Sequence, residues 1–255
     1  MTKSALKKVL VSVGCLVVFL VAWIFVFGKF HENHMVLFPT GHHEVYALTD
    51  GVVGGFSTSE LSRTDSVVSA RVNIRSGMAY PYAGMGLNLL SVDNRPAADF
   101  FDFTRFDSMA VLVETGRMAK VSFRFMNNDP VYSRQGSYAS YRPLVASVPV
   151  PAKADQEARI ALSDFKVPEW WLAGLGLEED DGLRYMQRGV LFEVYNGEGT
   201  LRGIPDEIIL RSIRLWGENR PFKSLMYLAL GLALIGFALS VYLSVRKPVA
   251  RTSKN

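Results

Sequence analysis

Cysteine is almost absent from this sequence, and so are the motifs of the common enzyme classes. Cys15 is the only cysteine, so the chain cannot form an internal disulfide. The sequence contains no GxSxG elbow, no Walker P-loop, no complete GxGxxG fingerprint, no HExxH and no CxxC. We therefore expect a protein that is not an enzyme, with no catalytic residues and no cofactor.

Charge is missing from two long apolar stretches, residues 9–27 and 225–245. Each has about the 20 residues that an α-helix needs to cross a membrane. The tails outside them are basic and carry Lys3, Lys7, Lys8, Arg246, Lys247, Arg251 and Lys254. The positive-inside rule then predicts two spans in a cytoplasmic (inner) membrane, with both termini cytoplasmic and the main domain extracytoplasmic. A cleaved signal peptide is the alternative for the first stretch, although its apolar run continues well past Cys15.

These stretches divide the chain into six expected parts. They are a cytoplasmic tail (1–8), a transmembrane helix (9–28), a histidine-containing juxtamembrane segment (29–44), a β-sandwich domain (45–218), a second transmembrane helix (225–245) and a cytoplasmic tail (246–255). The net charge of +4 comes from the tails, because 7 of the 28 basic residues lie there and 21 remain against 24 acidic residues. We therefore expect no nucleic-acid partner and an association of the tails with the lipid bilayer.

The segment between the apolar stretches has the pattern of an all-β domain. Short runs in which apolar and polar residues alternate are separated by Gly, Pro, Asn and Asp, as in Val121, Phe123 and Phe125. Such alternation predicts an antiparallel jelly-roll sandwich. The predicted strands are 43–48, 66–74, 86–92, 109–114, 121–126, 144–150, 158–162, 190–195 and 207–215. A short helix is expected over 168–175.

The string Asp50-Gly51-Val52-Val53-Gly54-Gly55-Phe56-Ser57 is the most distinctive local motif. It resembles the D-G-V-M-G-G-x-S signature of the complex I intermediate-associated protein family, and the resemblance extends over about residues 45–216. It implies a galactose-binding-like β-sandwich and a role in assembling a membrane complex. The residues themselves leave two interpretations, a structural loop that fixes the first strand or a rim loop that touches a ligand.

Polar and aromatic side chains on or near the predicted strands and helix are candidates for binding a glycan or a protein partner. The adjacent Trp170 and Trp171 are a candidate stacking platform, and Tyr80-Pro81-Tyr82 is a further candidate for an aromatic rim. Arg124 and Glu193 alternate with apolar residues, so both should point away from the core. Arginine offers forked hydrogen bonds, and aromatic rings offer flat surfaces. The predicted ligand-binding residues are Arg124, Tyr141, Arg142, Trp171, Glu193, Tyr195 and Trp216. A polar sheet face whose side chains pair only with one another is the alternative.

The four histidines lie close together in the sequence. His31, His34, His42 and His43 are weak candidates for a metal site, because their spacing matches no zinc pattern. A structural calcium ion near Asp50 and Asp206 is a further candidate, although two carboxylates fall short of the six to eight oxygens that Ca²⁺ takes.

Taken together, these features predict a membrane-anchored, extracytoplasmic binding or scaffold protein without catalytic activity. Its jelly-roll domain would bind a protein partner or a glycan, and the family resemblance adds assembly of a membrane complex. The alternative function is a sensory input module. Because only about ten residues follow the second apolar stretch, a sensor would signal through a separate partner.

Overall fold

The chain forms a β-sandwich unit, His34–Gly217, and a second unit made of the segments before and after it. The computed structural model describes residues 3–39, 43–92, 95–96, 99–134, 136–153, 155–178 and 185–246. The helices are α1 (Lys3–Phe30), α2 (Glu169–Leu175) and α3 (Arg220–Val245). Both α1 and α3 are long and apolar enough to cross a membrane.

Helices α1 and α3 contact each other through a few polar and aromatic side chains. The Trp23 indole donates a hydrogen bond to the Met226 carbonyl at 2.9 Å, and the Trp23 ring lies 6.3 Å from that of Tyr227. The Ser12 and Ser240 hydroxyls are 2.7 Å apart. These contacts satisfy polar groups that would otherwise face apolar surroundings, so they suit a helical pair in lipid.

Twelve strands of the described residues form two six-stranded sheets. Sheet A has the order β10-β7-β12-β4-β3, with β1 also paired to β12, and sheet B has the order β2-β5-β11-β8-β9, with β6 paired to β5. The strands are β1 (Glu32–Phe38), β2 (His43–Thr49), β3 (Thr58–Arg63), β4 (Val68–Asn73), β5 (Ala83–Val92), β6 (Arg95–Pro96), β7 (Ser108–Thr115), β8 (Lys120–Asn127), β9 (Arg142–Pro149), β10 (Ala158–Ala161), β11 (Gly189–Asn196) and β12 (Asp206–Glu218). This confirms the predicted all-β jelly-roll sandwich with an apolar helix at each end of the chain.

The core lies between the two sheets and follows the predicted alternation. Val121, Phe123 and Phe125 of β8 are fully buried there. In β11, Phe192 belongs to this core, but Val190 does not. A β-bulge near the start of β11 moves Val190 into a second small cluster with Met126, Tyr141 and Leu191. The strict alternation expected through Val190 is therefore interrupted by the bulge.

Three strands were missing from the sequence prediction, namely β1, β3 and the two-residue β6. β1 lies within the segment 29–44 that was expected to be a juxtamembrane connection, and β3 precedes the predicted strand at 66–74. Only Leu37 and Phe38 of β1 are buried, and β3 is a largely exposed edge strand with the sequence TSELSR. Such strands bury too few side chains to produce the alternation that identifies a half-buried strand.

A candidate binding cleft on sheet B

The outer face of sheet B carries an open cleft of about 1170 Å³. A row of directly paired residues crosses the sheet at its floor. Tyr46 of β2 pairs with Gly86 of β5, Gly86 pairs with Glu193 of β11, and Glu193 pairs with Arg124 of β8. Because each of these positions points away from the core, the row brings three polar side chains together on one surface.

Gly86 leaves room for the Tyr46 side chain to lie across strand β5 and reach Glu193. A Cβ atom at position 86 would overlap the phenol ring of Tyr46, and one at Gly84 would overlap the backbone around Tyr195. Neighbouring strands lie about 4.8 Å apart, so Tyr46 must cross one whole strand to reach Glu193. The two glycines of β5 therefore supply the close approach on which the cleft floor depends.

Arg124 and Glu193 form a buried ion pair at this floor. The Nε of Arg124 donates to Oε2 of Glu193, and the Tyr46 hydroxyl donates to Oε1 at 2.7 Å. Both carboxylate oxygens of Glu193 thus accept a hydrogen bond. The pair to Glu193 uses one of the five N–H donors of the guanidinium, so Arg124 keeps further donors for the Tyr82 hydroxyl and for a ligand in the cleft.

Two tyrosine rings enclose the guanidinium of Arg124. Its central carbon lies 5.0 Å from the ring centroid of Tyr82 and 5.2 Å from that of Tyr195, within the range of a cation–π interaction. Together with Tyr46, Arg124 and Glu193, these residues are called the polar cluster below. All five line the cleft.

Arg124 and the three tyrosines of the polar cluster all have raised pKa values. Burial is the largest single effect on Arg124 and would lower its pKa, but the charge and hydrogen bond of Glu193 together with Tyr195 and Tyr82 outweigh burial and raise that pKa above its ordinary value. Burial raises the pKa of Tyr195 to about 12, partly offset by Arg124. Burial and then Glu193 raise the pKa of Tyr46, and burial raises that of Tyr82. A ligand therefore meets neutral phenols beside an ion pair.

Exposed aromatic rings stand around the polar cluster. Tyr80, Tyr138 and Trp170 all line the cleft, and each is exposed. Trp170 is 44% exposed, whereas its neighbour Trp171 is only 5% exposed and packs edge-on against Tyr132. Of the two adjacent tryptophans, Trp170 and not the predicted Trp171 faces the cleft.

The structure brings together three of the seven predicted ligand-binding residues, namely Arg124, Glu193 and Tyr195. Tyr141 is buried in the small cluster around Val190, and Trp216 belongs to sheet A, opposite Ser108 of β7. Arg142 is 1% exposed, lies 3.4 Å from the carboxylate of Asp129, and stacks at 5.4 Å on Trp171. These four residues lie outside the cleft, because alternation gives the face of a strand but not what covers that face.

The sequence prediction missed Tyr46 and Tyr138 as cleft residues, whereas Tyr80, Tyr82 and Trp170 were among its wider aromatic candidates but not among the seven predicted ligand-binding residues. One available signal was Gly84-Met85-Gly86, since two glycines on one face of a strand indicate that another group approaches the backbone closely. The tyrosines of the loops gave no such signal, because their positions depend on how the loops fold back over the sheet.

The loop motif is built around a buried aspartate. Asp50 is fully buried and accepts hydrogen bonds from the Ser57 backbone N–H at 2.9 Å and from the Ser57 hydroxyl at 2.8 Å. Gly54 has a φ of 87°, and a Cβ at Gly55 would overlap the Asp50 carboxylate. Gly51 lies within the 3₁₀ turn Asp50–Val53 that begins the loop. These contacts explain why the motif needs these residue types at this spacing.

The candidate metal ligands lie apart or are otherwise engaged. His31 follows α1, His34 lies in β1 and His43 in β2, while His42 lies outside the described residues. Within the described part of the chain, no group of three or more His, Cys, Asp or Glu side chains is placed to hold a metal ion. Asp50 binds Ser57, and Asp206 accepts from the Arg117 backbone N–H at 3.0 Å. Both candidate calcium ligands thus hold loops of the sandwich.

The comparisons with known proteins bear only on the fold of the chain. No protein-family model matches the chain, so the resemblance to the complex I intermediate-associated protein family goes no further than the jelly-roll fold. No curated protein matches it either. Among solved structures, the chain is similar to a family 11 carbohydrate-binding module of the cellulosomal cellulase Lic26A-Cel5E of Clostridium thermocellum. The two share 10% sequence identity with a TM-score of 0.46, over 73% of this chain and 94% of that chain.

Proposed function

We propose that this chain is a membrane-anchored, non-catalytic protein that binds a glycan in the cleft on sheet B. The observation that carries the proposal is the combination of a buried polar cluster with exposed aromatic rings around one cleft. A sugar presents hydroxyl groups at its edges and C–H groups on its faces. The polar cluster can bind the hydroxyls, while Tyr80, Tyr138 and Trp170 can pack against the faces.

The arrangement of Glu193 favours binding over catalysis. Both of its carboxylate oxygens accept hydrogen bonds, one of them from Arg124 in a buried ion pair. Both oxygens of Glu193 are thus already engaged as hydrogen-bond acceptors, whereas a general acid or base must exchange a proton with its substrate. We therefore assign Glu193 and Arg124 to ligand recognition.

Helices α1 and α3 would hold the sandwich at the outer face of a cytoplasmic membrane, with both termini inside. Their lengths and apolar surfaces support this placement, and the basic tails support the orientation. Reporter fusions to each terminus and to the sandwich test it. Cytoplasmic reporters should be active only at the two termini, and activity within the sandwich would contradict the orientation.

The binding proposal is tested with the full chain in lipid nanodiscs and a panel of immobilised oligosaccharides. We expect at least one saccharide to bind, and Tyr138→Ala and Trp170→Ala to weaken its binding about tenfold each, because each removes an exposed stacking surface. Phe56→Ala is the control, since Phe56 is an even more exposed aromatic residue but does not line the cleft. Equal losses in all three variants, or no binding by any saccharide, would contradict the proposal.

A further inference from the structure

We propose that the ligand is a glycoside with an apolar substituent, whose sugar contacts the polar cluster and whose substituent contacts an adjoining apolar wall. The inference rests on the proposed function and specifies the chemical class of its ligand. The apolar wall is defined by Val52, Val53, Met78 and Tyr80, which line the same cleft as the polar cluster.

The apolar wall comes from two loops at one end of sheet B. Val52 and Val53 follow β2, while Met78 and Tyr80 precede β5. The two loops are joined where the Asp50 N–H donates to the Tyr82 carbonyl at 3.0 Å. Val52 is 81% exposed and Val53 is 48% exposed. Apolar side chains from two separate loops thus line the same cleft.

The exposure of Val52 and Val53 is built into the fold. The buried Asp50 carboxylate binds Ser57 at the other end of the loop, and Gly54 and Gly55 allow the chain to turn tightly around it. A loop fixed in this way presents its two valines to the cleft. The polar residues of the distinctive sequence motif therefore fix the loop, while its apolar residues line the cleft, where the proposed ligand would touch them.

The distance between the wall and the polar cluster sets the form of the ligand. Thr49 and Ala83 are paired at the loop end of β2 and β5, and Tyr46 and Gly86 are paired three residues further along. At about 3.3 Å per residue, Tyr46 of the polar cluster lies roughly 10 Å along the strands from the loop end that carries the wall. A ligand that contacts both Tyr46 and the wall must be extended and must have polar and apolar parts at different ends.

The charges around the cleft disfavour an anionic group as the second part of the ligand. Two arginines, Arg124 and Arg202, line the cleft together with three glutamates, Glu44, Glu193 and Glu198. Arg124 is neutralised by Glu193 within the floor. The described lining therefore has no excess of positive charge that would attract a phosphate or carboxylate, whereas its exposed valines gain from covering by an apolar group.

The test compares pairs of glycosides that share one sugar and differ only in the substituent. Full-length protein in nanodiscs is titrated with the methyl and the p-nitrophenyl glycosides of glucose, galactose, mannose and N-acetylglucosamine, with empty nanodiscs as the background. For the sugar that binds, we expect the p-nitrophenyl glycoside to bind about tenfold more tightly than the methyl glycoside. Ligand-detected NMR should show saturation of both the sugar and the aryl protons.

Variants of the wall separate this inference from the proposed function. The double variant Val52→Ser/Val53→Ser should remove the advantage of the p-nitrophenyl glycoside and leave the methyl glycoside unchanged. Val131→Ser is the control, because Val131 is also highly exposed but lies outside the cleft lining. Equal affinities for the two glycosides in the unmodified protein would overturn the inference and leave glycan binding intact. Failure of every glycoside to bind would overturn both.

Discussion

Two arginine–carboxylate pairs are buried in the described part of the sandwich, and they lie in different surroundings. Arg124 and Glu193 form the floor of an open cleft, between the half-buried rings of Tyr82 and Tyr195. Arg142 and Asp129 are each 1% exposed, and the ring of Trp171 closes over the guanidinium. The two pairs have similar residue types and similar aromatic contacts. They differ in that only Arg124 and Glu193 line the cleft, and we therefore propose recognition for that pair and a structural role for Arg142 and Asp129.

Asp129 shows how the closed pair serves the structure. One of its carboxylate oxygens accepts the Val131 backbone N–H at 2.8 Å, and its own N–H donates to the Ser133 hydroxyl at 2.7 Å. The other carboxylate oxygen contacts Arg142. Asp129 thus joins the turn after β8 to the first residue of β9. In the open pair, by contrast, Glu193 contacts only side chains of the polar cluster among the hydrogen bonds seen for its carboxylate.

The largest expected effect comes from neutralising one acid of each pair. Asp129→Asn should lower the free energy of unfolding by about 3–5 kcal/mol, because it removes the charge of one member of a buried ion pair. Glu193→Gln should cost less, about 1–3 kcal/mol, since the cleft admits water and two rings face Arg124. Chemical unfolding of the full chain, followed by tryptophan fluorescence, measures both.

The two variants should affect saccharide binding in the opposite order to their effects on the free energy of unfolding. Glu193→Gln should abolish saccharide binding, whereas Asp129→Asn, measured at a temperature where it is folded, should bind as the unmodified chain does. If the two variants lost binding to the same extent, the distinction between a recognition pair and a structural pair would be wrong.

A smaller effect is expected from adding one methyl group to the cleft floor. Gly86→Ala places a Cβ where the Tyr46 ring lies, so Tyr46 must move away from Glu193. We expect a loss of about 1–3 kcal/mol in the free energy of unfolding and weaker saccharide binding. Gly174→Ala is the matched control in α2, since its Cβ would meet no neighbour and alanine favours the helix. Unchanged binding in Gly86→Ala would show that Tyr46 is not needed in its present position.

The comparison of the two pairs also shows which features of the site could be predicted from the sequence. Alternation in β8 and β11 correctly placed Arg124 and Glu193 on the outer face of sheet B, because that inference needs only the two-residue period of a strand. Arg142 lies just before the predicted strand 144–150. In the structure it begins β9, where the chain after β8 and helix α2 cover it. Covering by distant segments depends on tertiary contacts, which residue types and strand alternation do not reveal.

The sequence also could not predict which loops come together at the cleft. The buried Asp50 and its glycines were recognisable as a tight turn from residue types alone. That Val52 and Val53 line the same cleft as Met78 and Tyr80 depends on the pairing of β2 with β5, which brings together two loops about 25 residues apart in the sequence. Likewise, β1 and β3 were missed because edge strands with few buried side chains lack a clear periodicity.

The smallest expected effect is a change in the pKa values of the cleft tyrosines. The Arg124–Glu193 pair should influence these pKa values, and the Arg142–Asp129 pair should not. The pKa of Tyr195 is raised to about 12, and the pKa values of Tyr46 and Tyr82 are also raised, chiefly by burial. Tyrosine in the unfolded chain titrates near 10. Below that pH both states are protonated and the contribution to stability is fully present. Above it the unfolded state loses protons that the folded state keeps, so the free energy of unfolding should fall as the pH rises from about 10 towards 12.

Ultraviolet absorbance of tyrosinate measures this titration in the folded chain. Glu193→Gln should lower the pKa of Tyr46, because the charge of Glu193 is the second cause of its upward shift and Arg124 would remain beside it. Asp129→Asn should leave the late-titrating tyrosines unchanged, since Asp129 is not among the groups that shift Tyr46, Tyr82 or Tyr195. The same absorbance curve for both variants would mean that Glu193 does not act on the cleft tyrosines. In that event, the electrostatic coupling that distinguishes the open pair from the closed pair would be absent.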